Sequence, residues 1–241
     1  MTTECGYVLQ LGDDALVAAQ RTAEWCARAP LLELDVALAN IALDQLGQAR
    51  HLLAYAGRLQ GAGRDEDDLA YLREESEFRN VQLVELPNGD FARTTAKTLF
   101  FGAYQNLLYT GLSAVADPVL AGIAGKAAKE TRYHLDHAVI WTLRLGDGTA
   151  ESHRRMQTAV DEIWPYTHEL FEPAPAAPLD PATLKPRWNR LVEGVLARAT
   201  LSRPEDGWAP TGGRRGVHTE ALGHLLAEFQ HLRRAHPGAR W

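Results

Sequence analysis

The sequence has no run of about 18 apolar residues, so no segment of it is expected to cross a membrane. Its N-terminus lacks the basic-then-apolar pattern of a secretory leader and carries Glu4, Asp13 and Asp14 instead. Cysteine is nearly absent: Cys5 and Cys26 are too few for a disulfide framework, which suits a reducing cytoplasm. Surplus positive charge is missing too. Lys and Arg number 25 against 31 Asp and Glu, a net charge of -6, which argues against nucleic acid as a partner. No internal repeat is found. What is there is 241 residues, 46% apolar and 23% charged, enough to bury a sizeable core as one domain over 1–241.

The strongest periodicity lies between Pro30 and Arg58. Leu31, Leu34, Leu38, Ile41, Gln45, Ala49, Leu52 and Ala56 recur at steps of three and four, one face of a helix. A shorter helix precedes it over Asp13–Arg28, with Leu16, Ala19, Ala23 and Trp25 turned inward. Val81–Leu86 reads as a short apolar run, extended, closed by the turn Pro87-Asn88-Gly89-Asp90. Asp90 caps a third helix over Phe91–Ala116, and Asp117-Pro118 starts a fourth running to Leu145. Further helices are expected over Ala150–Phe171, broken at Pro165, then over Pro181–Thr200, bent near Pro186, and over Thr219–Arg234. The last is expected to bury Leu222, Leu225, Leu226, Phe229 and Leu232. Glu172–Pro181 reads as a linker or wrapping arm, and Trp25, Trp141, Trp164, Trp188 and Trp208 as core or interface anchors. Long helices joined by short loops predict an all-α chain: an up-down four-helix bundle over about 10–146, with additional C-terminal helices over about 150–235.

Such a bundle invites a test for a di-iron carboxylate centre. That centre takes a glutamate from each of two helices and Glu-x-x-His from each of the other two, all pointing inward. The second helix offers Asp44, but Gly47 stands three residues on. The third helix has no Asp or Glu at all. In the fourth, Tyr133 stands three after Glu130, and His134 falls one step late, about 100° around the helix. Asp14 completes a poor inventory. Buried acids so short of ligands are better neutralised by a cation, with Lys97, Lys126 and Arg132 as candidates, than metallated. The alternative is a divergent ferritin-like oxidase using Asp14, Asp44, Glu130 and a histidine of its own.

Leu38-Ala39-Asn40-Ile41-Ala42-Leu43-Asp44-Gln45-Leu46-Gly47-Gln48-Ala49-Arg50 resembles the second-helix signature of the PaaC family of bacterial phenylacetyl-CoA epoxidase subunits. So do Leu11-Gly12-Asp13-Asp14, Glu24-Trp25-Cys26, Pro87-Asn88-Gly89-Asp90-Phe91, Lys129-Glu130-Thr131-Arg132-Tyr133-His134 and, most specifically, Thr211-Gly212-Gly213-Arg214-Arg215-Gly216-Val217-His218-Thr219-Glu220. The similarity runs over nearly the whole chain, with a shortened segment around Glu172–Pro181. The resemblance implies a ferritin-like, non-catalytic, structural subunit of a ring-epoxidising monooxygenase complex. It would hold no metal itself. Its partner would be a homologous catalytic subunit carrying the di-iron centre, supplied with electrons by a separate reductase, in aerobic phenylacetate degradation.

Three constellations stay open to more than one reading. His224, Glu228 and His231 sit at i, i+4 and i+7, with Glu220 a turn earlier; a solvated face is favoured over a divalent-metal site. Gly212-Gly213-Arg214-Arg215-Gly216 fits either a phosphate of a CoA thioester or a tight connector whose arginines meet acids of a partner. Glu77-Phe78-Arg79-Asn80 fits either adenine stacking and phosphate contact at a shared CoA entrance or an ordinary helix end.

Overall fold

The computed structural model describes residues 3–174 and 177–239. It is helical throughout with no strand among the described residues, so the all-α expectation holds, and it is consistent with a ferritin-like helical bundle. Contacts gather into two compact units, 1–87 with 211–241 and 88–210.

The first unit is built on α1 (Thr3–Ala23) and α2 (Leu32–Gln60). They run antiparallel: the Cys5 thiol donates to the Ala56 carbonyl at 3.4 Å, and Gly12 lies against Leu52 and Leu53. A Cβ at position 12 would meet the Leu53 side chain at 2.8 Å, so the glycine sets the spacing of the pair. α2 ends at Gly61, whose φ of +68° suits the left-handed cap that returns its N–H to the Gly57 carbonyl. Two short helices follow, α3 (Glu66–Tyr71) and α4 (Gln82–Glu85). A later helix, Glu220–Ala235, packs beside α3, and Tyr71 stacks on Phe229 at 4.5 Å.

The second unit is built on α5 (Phe91–Leu112) and α6 (Pro118–Gly146), again antiparallel. The Asn106 amide donates to the Ala128 carbonyl at 3.0 Å, and Phe91 meets Trp141 edge-on. Asp117 caps α6 by accepting from the N–H groups of Val119 and Leu120, with Pro118 at the first position, as the sequence predicts. α7 (Ala150–Ile163) gives way at Pro165 to a 3-10 segment over Trp164–Phe171; α8 (Lys185–Arg198) completes the unit, so that Glu220–Ala235 is α9. Phe100, Tyr104, Trp164, Phe171 and Trp188 form one aromatic cluster, and the Trp188 indole donates to the Phe100 carbonyl at 2.9 Å.

Several expectations are corrected. The first helix begins ten residues before Asp13 and stops at Ala23, which is exposed; Trp25 lies beyond it, half-buried. Val81–Leu86 is a single buried helical turn rather than an extended run, because a short apolar stretch has no period that separates the two. Leu31 and Leu232 are exposed, not inward, and Trp208 is 79% exposed. Residues 175–176 of the expected arm lie outside the described residues.

Candidate functional site

α1 is buried on all sides from Leu11 to Ala19, and two adjacent carboxylates, Asp13 and Asp14, sit in that stretch. Charges so placed are tolerated only when paired and hydrogen-bonded. Each has its own arginine. Asp13 receives the Arg73 guanidinium on both oxygens and the Arg79 N–H at 2.9 Å. Asp14 receives Arg214 on both oxygens, at 2.9 and 2.7 Å, and the Val81 N–H at 2.9 Å. These are the fork-to-fork pairs that suit guanidinium geometry.

The arginines are themselves held. Arg73 also donates to the carbonyls of Leu69 and Glu77 and lies over the Phe78 ring, 4.2 Å from its centre. Arg214 also donates to the carbonyls of Arg79 and Gln10, at 2.9 and 3.3 Å. It is delivered by the tight turn 212–216, in which Gly212 and Gly216 have φ of +119° and +82°. Gly216 packs so closely on the Ser76 carbonyl that no Cβ fits there. Burial pushes the Asp14 carboxyl up to about 6, against the pull of Arg214 and the Val81 N–H. A second layer closes the site. His218 meets the Phe78 carbonyl at 3.1 Å and Glu85 at 3.4 Å, while Glu85 accepts from the Thr219 N–H. Burial would lower the His218 pKa, but the Glu85 carboxylate and the Phe78 carbonyl outweigh it and the net shift is upward.

Asp14, Phe78, Arg79 and Arg214 are therefore brought together, though not in the arrangement expected from the sequence. Phe78 and Asn80 are fully buried, so Phe78 offers no ring face to a base; Glu77 is exposed and caps the N–H of Glu74. Arg214 meets an acid of its own chain, Asp14. Arg215 is exposed and donates to Thr211. The cation for Asp14 is Arg214 rather than Lys97, Lys126 or Arg132. Lys126 instead pairs with Glu130, and Arg132 with Asp136, each one turn away on α6. His224 meets Glu220 on an exposed face of α9 with Glu228 and His231, as a solvated face requires.

The remaining positions correct the ligand test. On α6 it is His134 that is buried, at 1% exposure, while Tyr133 is 75% exposed. The inward residue three before His134 is Thr131, also fully buried. On α2 the inward pair at the same spacing is Gln45 and Gln48; Asp44 and Gly47 stand half-buried beside it. Hydroxyl, imidazole and two amides thus occupy the faces where Glu-x-x-His would stand, and Asp14 is saturated by a guanidinium. On neither helix does the inward-facing pair match the Glu-x-x-His pattern. Among the described residues no group of three His, Cys, Asp or Glu is placed to hold a metal ion. Arg73 and Glu85 are not picked out by spacing or motif, and Asp13 and His218, though they lie in family-like stretches, carry no role there; the doublet Asp13-Asp14 inside an apolar helix is the signal that points to the site.

The chain matches, over residues 1–241, the family model described as phenylacetic acid catabolic protein. It is 47% identical over 243 residues, covering 98% of both chains, to the C subunit of the 1,2-phenylacetyl-CoA epoxidase of Escherichia coli (strain K12).

Proposed function

We propose, from the premise that the chain belongs to the phenylacetic acid catabolic protein family, that it is a non-catalytic subunit of a phenylacetyl-CoA ring-epoxidising oxygenase in the cytoplasm. In this reading it pairs with and stabilises a ferritin-like catalytic subunit that holds the di-iron centre, and a reductase supplies that subunit with electrons. The observation that carries the reading is the bidentate grip of Arg214 on Asp14. A fixed internal cation sits on the best-placed carboxylate, so this unit needs no metal to neutralise it. Gln45 with Gln48 and Thr131 with His134 support the same conclusion, since neither pair contains a carboxylate. Should a CoA thioester reach this chain at a shared interface, Arg215 is the exposed cation of the 212–216 turn that meets it.

The test is co-expression with the catalytic subunit of such an oxygenase. The complex should co-purify, carry its iron in the partner, and lose soluble partner and epoxidation together when this chain is omitted. A catalytic subunit equally soluble and active alone would refute the reading. So would about two irons per chain in this protein purified by itself, which would make it a di-metal oxidase in its own right.

A further inference from the structure

Residues 217–221 join the turn that carries Arg214 to α9, and they are held against the single turn α4. The Gln82 amide donates to the Val217 carbonyl at 2.9 Å, and the Thr219 N–H donates to the Glu85 carboxylate at 3.1 Å. The Arg21 guanidinium bridges the two segments, donating to the Ala221 carbonyl at 2.7 Å and the Glu85 carbonyl at 2.9 Å. Between these contacts lies His218. Its side chain is fully buried, and so is that of Glu85.

His218 faces an acceptor at each ring nitrogen: the Phe78 carbonyl lies 3.1 Å from Nε2 and the Glu85 carboxylate 3.4 Å from Nδ1. A neutral imidazole has one N–H and one bare lone pair, so it satisfies one of the two and turns a lone pair on the other. The imidazolium donates on both sides. The charges on the surrounding elements favour it. Glu75 adds a carboxylate from the turn before Phe78, close enough to the first turn of α9 that a Cβ at Gly223 would meet it at 2.7 Å. Of the nearby cations, Arg21 pairs with Glu24, Arg73 with Asp13 and Arg214 with Asp14, while Arg79 donates to the Ser76 and Phe78 carbonyls. Burial opposes the charge on His218, but Glu85, the Phe78 carbonyl and Glu75 outweigh it and hold the proton above the ordinary 6.5.

We infer that residues 217–221 form a pH-operated latch, docked on α4 while His218 is an imidazolium and released by the loss of that one proton. The docked latch holds the proton more tightly than the released one. Docking is therefore fully supported below 6.5 and weakens as pH rises through the higher value of the docked state. One proton changes the opening constant by at most about tenfold per pH unit. Opening frees the start of α9 and uncovers Glu85. The far half of α9 stays in place, because Gln230 holds the carbonyls of Ala70 and Arg73 and Phe229 stacks on Tyr71. The inference does not rest on the subunit role proposed above.

Amide exchange of the full chain from about pH 6.5 to about 8.5, corrected for the intrinsic exchange rate, tests it above the midpoint of Asp14. Opening at Thr219 and its neighbours should rise at least about threefold across that range. His218→Gln can still donate to the Phe78 carbonyl but cannot titrate, and should abolish the rise. NMR titration of the native chain serves if that variant does not fold: the His218 ring should titrate above 6.5, and Glu85→Gln should bring its midpoint down. A flat exchange profile in the native chain overturns the inference, as does a rise that persists in His218→Gln. So does a His218 midpoint at or below 6.5, or one that Glu85→Gln leaves unmoved.

Discussion

Asp14 illustrates how far a single residue could be read. Its burial and lack of a full ligand set were legible from the apolar stretch around it and from the empty third helix. Its partner was not, because Arg214 is 200 positions away and nothing local marks the pair. Likewise, Tyr133 and His134 differ by one helical step, and counting from Glu130 instead of Thr131 sent the tyrosine inward. Buried polar faces are set by packing, which spacing alone underdetermines. The site also has a pH signature of definite sign. A carboxyl that titrates at about 6 in the fold and at 3.8 ordinarily holds its proton more tightly when folded. This contribution to stability is present below 3.8 and is lost as pH rises through about 6. Asp14→Asn keeps a hydrogen-bonding group but cannot titrate. Urea unfolding should therefore show the native chain losing stability relative to Asp14→Asn between about pH 4 and 6.5, with a constant difference above that. An identical pH profile in the two proteins would contradict the burial-driven shift.

Among the elements, the long helices were the most legible. α2, α5 and α6 lie within a few residues of their expected bounds because each has a clear boundary signal: the stop at Gly61 for α2, and the starts at Asp90 for α5 and Asp117-Pro118 for α6. α1 begins ten residues before its expected start at Asp13, so the two acids lie mid-helix and are neutralised from afar. Of the two readings of the glycine-rich run 211–216, the structure shows a tight connector whose arginine meets an acid, here one of the same chain. Its glycines let a turn pass close to Ser76 and aim Arg214 at α1. Gly216→Ala should show this. The left-handed φ strains any Cβ, and that Cβ has no room beside the Ser76 carbonyl, so a loss of about 2–4 kcal/mol is expected in thermal unfolding. Gly47→Ala, on a half-buried face with nothing near the added methyl, should be neutral or slightly stabilising. Equal costs at both positions would remove the special role of the turn.

At the level of the whole molecule, the first unit is assembled from segments far apart in sequence. Its closing contacts join 211–241 back to 1–87: Arg214 to Asp14, His218 to Phe78 and Glu85, Arg21 to the Ala221 carbonyl, and Gln230 to the carbonyls of Ala70 and Arg73. The second unit, 88–210, has its own core around the aromatic cluster of Phe100 and Trp188. Removing Arg214 should therefore act unevenly. Arg214→Ala leaves Asp14 buried without its counter-charge, which costs about 3–5 kcal/mol when a buried pair is broken from one side. Proteins open in cooperative units, and amide exchange reports the free energy of each. In the Arg214→Ala chain, amides of α1, α2 and α9 should exchange on the order of a hundredfold faster or more, while those of α5 and α6 keep most of their protection. Replacing both partners, Asp14→Leu with Arg214→Leu, removes the stranded charge and should recover part of the loss. Uniform acceleration across both units in Arg214→Ala would mean that the two unfold as one, and that the Asp14–Arg214 pair supports the entire chain rather than the unit that contains it.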